Sequence, residues 1–297
     1  MNDKFRSGFI AIIGKPNVGK STLLNSLLDK KIVIVSNKPE TTRESVKGIL
    51  TTKDTQVVFV DTPGIHKPHL LLGKVMVDKA REALFDADLL LFMVELTSGL
   101  SDKDHMILDM IKSAGKPAIV VINKIDAAKK AGILKIIDDL KSAYGFLDYI
   151  PISALNKDNI ILLTNTIKAN LPLGDQYYPE SQITDRQDEF QVAEIIREKI
   201  LALTKQEVPH SVAVVIETLS KRDNKDILDI EAMVYVERES QKAIIIGSKG
   251  EMMKEIATLS RIELEEKFGV KVFLKTWVKV LKNWRKDPNM LKRLGVC

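Results

Sequence analysis

Gly14-Lys15-Pro16-Asn17-Val18-Gly19-Lys20-Ser21 fits the pattern G-x-x-x-x-G-K-[ST], and its surroundings decide the fold. An apolar run over 8–13 precedes it and reads as a strand; a helical pattern over 21–28 follows it. In that setting the glycines let successive backbone N–H groups turn inward around phosphate oxygens, and the helix N-terminus adds partial positive charge. Lys20 reaches the β- and γ-phosphates and the Ser21 hydroxyl ligates Mg²⁺. Residues 14–21, with Thr22 next to them, are the expected phosphate-binding set.

The rhythm continues outward. Residues 9–170 alternate short apolar runs (8–13, 56–60, 88–94, 117–122, 148–151) with amphipathic stretches (21–28, 70–85, 101–114, 133–143, 160–169). Several of the runs are apolar on both faces, as buried parallel strands are. Strand alternating with helix predicts an α/β layer sandwich.

Three loops in this region carry further chemistry. Asn123-Lys124-Ile125-Asp126 follows an apolar strand. Asp126 can accept two hydrogen bonds from guanine, at N1–H and the exocyclic amine, whereas adenine would turn a lone pair toward the carboxylate; such a site rejects the wrong base strongly. The Lys124 stem can lie along the base and Asn123 can tie the loop to the phosphate loop. Ser153-Ala154-Leu155 follows another strand, and the Ala154 N–H could donate to guanine O6. Asp61-Thr62-Pro63-Gly64 follows the run 57–60: Asp61 would hold Mg²⁺ through a water, and the Gly64 N–H would meet the γ-phosphate. Upstream, Glu40-Thr41-Thr42-Arg43 lies in a polar stretch, where a threonine hydroxyl (Thr42, with Thr41 as the alternative) can complete the metal shell only when the γ-phosphate is present.

Residues 171–188, holding Pro172, Gly174, Tyr177, Tyr178 and Pro179, break the periodicity and read as a linker. Beyond it the order becomes helix (189–203), two strands (211–219 and 227–236), a glycine turn (247–250), helix (251–268) and strand (270–278). Gly247-Ser248-Lys249-Gly250 forms a G-x-x-G turn followed by Lys254; the glycines allow close approach of a sugar-phosphate backbone and the lysines supply charge. Propensity alone makes 243–246 a strand.

Charge separates the two ends of the chain. The net charge is +5, but from Lys271 onward eight Lys/Arg stand against Asp287 alone, a local +7, so the first 270 residues carry −2. A cationic end calls for an anionic partner, nucleic acid or an acidic membrane surface. Trp277 is expected to pack the last strand rather than stack on a base, and for Trp284 both readings stay open. The longest apolar run, 89–94, is far short of the ~20 residues of a membrane span, and no secretory signal pattern is visible. A single cysteine, Cys297, excludes an internal disulfide framework and fits a reducing cytoplasm.

The five motifs at 14–21, Thr42, 61–64, 123–126 and 153–155 together resemble the translation-factor-type small GTPases. The resemblance implies a Ras-like P-loop GTPase domain, with a mixed, mostly parallel sheet and helices on both faces, that hydrolyses GTP to GDP and phosphate. Where many such proteins place a water-orienting glutamine this chain has Ile65 and His66. Ile65 cannot orient water, which implies slow intrinsic turnover; no catalytic residue is certain, and Thr42, Gly64 and His66 are the candidates. The asparagine matching Asn17 helps seat a monovalent cation in relatives, so K⁺ is a hypothesis here. The second half resembles a type II KH domain, a smaller α+β module that usually grips single-stranded RNA, and this implies a short helix over 243–246 in place of the strand.

A single GTPase domain joined to one KH domain resembles the Era/TrmE-like GTPase family along the whole chain. It implies domains at 1–172 and 188–280, a linker at 173–187 and a basic tail at 281–297. It further implies GTP/GDP and Mg²⁺ as cofactors and Gly247, Ser248, Lys249, Gly250 and Lys254 as RNA contacts. Its partners would be the small (30S) ribosomal subunit and 16S rRNA near its 3′ end. A cytoplasmic monomer with no DNA target is expected; peripheral contact with the inner membrane through the basic end is the alternative.

Overall fold

The computed structural model describes residues 5–128, 131–223 and 225–296, so Cys297 lies outside the described residues. The chain divides into two compact units.

The first unit comprises residues up to 33, 42–68 and 73–185. Its sheet contains β1 (Arg6–Gly14), β2 (Val46–Thr51), β3 (Thr55–Asp61), β4 (Leu89–Glu95), β5 (Ala118–Asn123) and β6 (Asp148–Pro151), in the spatial order β2-β3-β1-β4-β5-β6. Only β2 runs antiparallel to its neighbour; the other pairs are parallel. All residues of β3 and β5 are buried, as expected of strands covered on both faces. Helices α1 (Lys20–Leu28), α2 (Leu71–Asp86), α3 (Asp102–Ala114), α4 (Ala131–Lys141) and α5 (Ile160–Asn170) alternate with the strands. The chain leaves β1, builds β2 and β3 on one side, then crosses to β4 on the other, so the C-terminal end of β1 is a topological switch point. Open α/β sheets bind ligands in the crevice at such points, and the phosphate loop starts there.

β2 is a finding the sequence did not announce. Its Gly48 sits where a Cβ would meet Leu24 and Leu28 side chains at 2.6 and 2.7 Å, so α1 packs directly on the strand backbone. The expected linker also has a definite course. Ile183 O accepts from Ile49 N at 2.8 Å, Thr184 bridges Gly48, and Gln56 Oε1 accepts from the N–H groups of Tyr177 and Tyr178. Residues up to 185 are therefore tied to the first unit by backbone hydrogen bonds rather than free of it.

The second unit comprises residues 34–41, 69–72 and 186–296. Helix α6 (Asp188–Leu203) and the single turn α7 (Val208–Ser211) lead into β7 (Ala213–Lys221) and β8 (Ile227–Val236). Then come α8 (Glu239–Ile246), α9 (Glu251–Phe268) and β9 (Lys271–Val280). The sheet order is β7-β8-β9, with β8 and β9 parallel. Val192, Ile196 and Ile200 of α6 share a core with Ile245, Ile256, Leu264 and the inward residues of β8. Residues 243–246 are helical. Gln241 Oε1 accepts from the N–H groups of Glu237 and Arg238 at 2.9 and 3.0 Å, capping α8 and overriding the strand propensity of three isoleucines.

The basic end is folded too. A 3₁₀ turn (Trp284–Lys286) and α10 (Pro288–Arg293) bury Trp284, Leu291, Leu294 and Val296. Trp284 is 0% exposed and its Nε1 donates to Ser211 O at 3.1 Å. Trp277, expected to pack, is instead 44% exposed, because it points with Phe273 to the outer face of β9. Among the described residues no helix is long and apolar enough to cross a membrane.

Candidate functional site

The phosphate loop is shaped by backbone that few side chains tolerate. Asn17 has φ 63° and Gly19 φ 105°. At Gly14 a Cβ would meet Met93 O at 2.7 Å, so glycine is required by the closeness of β4. Lys20 opens α1 and is buried; its ammonium donates to Gly14 O and Lys15 O, both at 3.1 Å, folding back over the loop. Burial pushes the Lys20 ammonium down to about 8, against the pull of Asp61.

Ser21, Thr42 and Asp61 converge from three separate elements. Ser21 Oγ donates to Asp61 Oδ2 at 2.8 Å and lies 2.9 Å from Thr42 Oγ1, which is itself 3.3 Å from the same carboxylate oxygen. Asp61 is 0% exposed, and its Oδ1 has no hydrogen-bond partner among the described residues. Burial raises its carboxyl to about 6, although Lys20, Ser21 and Thr42 pull the other way. Two hydroxyls and a carboxylate with an idle buried oxygen are hard oxygen donors, the set that suits Mg²⁺ completed by water and phosphate. The residues fit the metal. Thr41 does not join this corner: its hydroxyl donates to Lys38 O at 2.6 Å, and its carbonyl accepts from Arg197 Nη2 in the second unit.

Beyond Asp61, Thr62 Oγ1 donates to Ile12 O at 2.8 Å, and Pro63 and Gly64 are buried. A Cβ on Gly64 would lie 2.8 Å from Pro16 Cα and N, so this turn rests on the phosphate loop backbone. Ile65 is buried in the core; its N–H donates to Gly14 O at 3.3 Å. His66 Nδ1 lies 2.8 Å from Gly64 O, which turns the ring back onto its own loop.

Asn123 fastens the base-reading side. Its Nδ2 donates to Val18 O at 2.8 Å and its Oδ1 accepts from Ala154 N at 2.9 Å, joining three loops. The Ala154 N–H expected for guanine O6 is thus engaged by Asn123 in this structure. Ile125 N donates to Ile152 O, and Ser153 Oγ accepts from Asn156 N at 3.1 Å. Lys124 (φ 66°) is ion-paired with Glu95, and Asp126 and Leu155 are exposed at the rim.

In the second unit, Gly247 (φ 73°), Lys249 (φ 48°) and Gly250 (φ 82°) make the turn between α8 and α9. A Cβ on Gly247 would meet Met252 Cβ at 2.6 Å, whereas one on Gly250 would meet nothing within 4 Å. Ser248, Lys249 and Lys254 are exposed around the turn. Sequence reading did not find the partners of Lys15 and Thr41, namely Asp104, Ser98 and Arg197. Only the S-x-x-D pattern of Ser101 and Asp104 signals one of them locally, as a helix cap.

Comparison with known proteins agrees with this geometry. A family model described as 50S ribosome-binding GTPase matches residues 9–124, and one for the KH domain matches 207–285. GTPase Era of Caldanaerobacter subterraneus subsp. tengcongensis is 47% identical over 291 residues, covering 98% of each chain. The protein of the same name from Thermoanaerobacter sp. is 47% identical over 290 residues, covering 98% of this chain and 96% of its own. A crystal structure of an Aquifex aeolicus Era variant bound to GDP·AlF4⁻ matches with a TM-score of 0.95 at 42% identity, over 99% of this chain and 100% of that one. A crystal structure of Era in complex with MgGDPNP and nucleotides 1506–1542 of 16S ribosomal RNA matches with a TM-score of 0.96 at 43% identity, over 99% of each chain. Fold and site together define a P-loop GTPase that carries a C-terminal KH domain. The chain belongs to the Era family of GTPases.

Proposed function

We propose that this chain is a GTP-dependent switch that binds 16S rRNA near its 3′ end through the KH domain and assists assembly of the small ribosomal subunit. The observation that carries the reading is the match along nearly the whole chain to an Era structure holding both MgGDPNP and a 16S rRNA segment, joined to a corner of Ser21, Thr42 and Asp61 suited to a metal.

In this reading the N–H groups of residues 14–21 and Thr22 cradle the phosphates, and Lys20 neutralises the β- and γ-oxygens. Ser21, Thr42 and Asp61 would hold Mg²⁺. Bound Mg²⁺ offsets negative charge on the transferred phosphoryl group. Thr62 and Pro63 shape the turn that presents the Gly64 N–H to the γ-phosphate. Asn123, Lys124, Ile125, Asp126, Ser153, Ala154 and Leu155 form the guanine pocket, with Asp126 selecting the base. Buried Ile65 orients no water, so intrinsic hydrolysis is slow. Asn17 would be the residue that seats K⁺, if one is used; equal turnover in Na⁺ and K⁺ buffers would refute that role.

The switch itself runs through neighbouring residues. Thr42 Oγ1 stands in the metal corner, while the Thr41 carbonyl accepts from Arg197, which Glu194 holds at 2.6 and 2.7 Å. Loss of the γ-phosphate removes the reason for Thr42 to stay, and Thr41 moves with it. Nucleotide binding is assigned to residues 1–172 and RNA binding to 188–280, with 173–185 packed in the first unit and the folded end in the second. RNA is favoured over a lipid surface because Trp284, Leu291, Leu294 and Val296, among the described residues of the tail, are buried and so not offered for insertion. A role in ribosome assembly supports a cytoplasmic location, and a monomer is proposed with it.

The test is fluorescence anisotropy with a labelled RNA of the 16S 3′ end, in GTP analogue and in GDP. Tighter binding in one nucleotide state is expected; equal affinity contradicts the switch, and no binding in either state contradicts the KH assignment. Vesicle pelleting with anionic lipid is expected to leave the protein in the supernatant.

A further inference from the structure

Lys15 is the one cation of the phosphate loop whose side chain turns away from Lys20. Its ammonium donates to Asp104 Oδ2 at 3.0 Å and to Ser98 Oγ at 2.9 Å, and lies 3.7 Å from Glu95 Oε1. Asp104, in the first turn of α3, is 2% exposed. Its Oδ2 also accepts from Ser101 N and Ser101 Oγ, at 2.9 and 2.6 Å. Glu95 closes β4; its Oε1 accepts from Ser98 Oγ at 2.7 Å and its Oε2 from Lys124 of the base-reading loop. Two cations and two carboxylates thus form a neutral chain running Lys124, Glu95, Lys15, Asp104. Burial alone would raise the Glu95 carboxyl, but Lys124, Ser98 and Lys15 hold it below the usual carboxylate range.

The chain ends on groups that matter. Lys20 donates to the Lys15 carbonyl, so displacing Lys15 shifts one of the two acceptors that place the phosphate-binding ammonium. The next residue, Pro16, is the one against which Gly64 rests. Asn123 grips the loop at Val18, three positions further on, so Lys15 supplies a second and separate hold.

We infer that Lys15, Glu95 and Asp104 are positioning residues for nucleotide binding: a charge link through which the base-reading loop fixes the shape of the phosphate loop, with the Lys15 ammonium serving that link rather than the phosphates. The inference rests on the nucleotide-site reading above. Lys124 is steadied by Glu95 when it lies along the base, and Glu95 in turn holds Lys15 where Lys20 and Pro16 need it. Cutting the link at either carboxylate or at Lys15 frees the same joint.

The experiment is release of mant-GDP from the full chain in Mg²⁺ buffer, followed by fluorescence after chasing with unlabelled GDP. Lys15→Met and Glu95→Gln are each expected to speed release about tenfold, the change that a tenfold step in the equilibrium represents. The double variant is expected within about twofold of the faster single one, because two cuts in one link are not additive. Lys15→Arg, whose guanidinium can still reach both carboxylates, is expected to stay within about threefold of wild type. Where Lys15→Met does not fold, Asp104→Asn keeps the side-chain shape and its acceptance from Ser101, and carries the same expectation. Wild-type release from the cut variants would overturn the inference, as would an about hundredfold, multiplicative effect in the double variant. A wild-type chain that binds no mant-GDP would sink the nucleotide-site reading itself; one that binds it while its variants behave alike would sink only the link.

Discussion

Asp61→Asn should make the nucleotide-free protein more stable while making the loaded protein less so. Asp61 is fully buried, one of its oxygens has no partner among the described residues, and burial lifts its carboxyl from 3.8 to about 6. That interval corresponds to about 3 kcal/mol carried by the ionised carboxylate at neutral pH. The amide removes this cost, in which the attraction of Lys20 is already counted, but brings a buried NH₂ of its own to satisfy, so a net gain of about 1–2 kcal/mol is expected, which raises Tm by roughly 2–8 °C in a unit of this size. With Mg²⁺ and a GTP analogue the order inverts, because the wild-type protein gains ligand-binding stability that the variant, lacking the metal-facing carboxylate, cannot match. The pH dependence has a definite sign. The folded value lies above the unfolded one, so the folded state holds the extra proton; below pH 3.8 Asp61 costs nothing, and its cost develops as pH rises through about 6. The stability gap between variant and wild type should therefore open between pH 4 and 6 and vanish below it. The assay is differential scanning fluorimetry in EDTA without nucleotide, then with Mg²⁺ and the analogue, across pH 4 to 8. A variant less stable than wild type in EDTA at pH 7.5 would refute the reasoning.

Asp126→Asn should exchange guanine for xanthine, whose C2 carbonyl meets the amide donor. Competition between GDP and XDP is expected to reverse by at least about a hundredfold, and an unchanged preference would remove Asp126 from the base pocket. Gly250→Asp places a carboxylate at a turn with open space around it but with φ 82°, so RNA affinity should fall at least about tenfold by anisotropy while backbone strain costs about 1–2 kcal/mol in urea unfolding; Gly247→Ala, strained at φ 73° and also running into Met252, should lower the midpoint further. Trp284→Ala should destabilise the second unit by about 3–5 kcal/mol in urea unfolding, whereas Trp277→Ala, half-exposed on β9, should cost much less. Equal losses from the two would mean that the outer face of β9 is covered in solution.

What was legible in the sequence follows from the range of the interactions involved. The phosphate loop is local: strand, glycine turn and helix occupy consecutive residues, so pattern and geometry coincide from Arg6 to Leu28. The base loop is nearly as local, since Asn123 closes a buried strand. β2 escaped because nothing inside 46–51 marks it; it exists through its pairing with β3 and through the space Gly48 leaves for Leu24 and Leu28. The course of residues 173–185 escaped for the same reason: its hydrogen bonds reach back more than a hundred positions, to Ile49 and Gln56. The two tryptophans show the limit of composition. Both stand among lysines, yet Trp277 lies on the outward register of an edge strand and Trp284 finds a buried carbonyl at Ser211. Basic neighbours report charge, not burial. In 243–246, a cap formed by Gln241 outside the apolar run decides the conformation, which isoleucine propensity decides wrongly.

A switch also needs a difference in contacts between its states, since a ligand moves an equilibrium only by its differential affinity. In the proposed switch Thr42, whose hydroxyl shares Asp61 Oδ2 with Ser21, would supply such a difference by meeting a metal when the γ-phosphate is bound. Thr41 has no role at the metal, yet its carbonyl holds Arg197, a guanidinium buried on α6 whose Nη1 has no hydrogen-bond partner among the described residues. A buried guanidinium that loses its carbonyl is costly, so displacement of Thr41 from Arg197 is resisted within the second unit. Coupling between two ligands is reciprocal: if GTP tightens RNA by some factor, RNA must tighten GTP by the same factor.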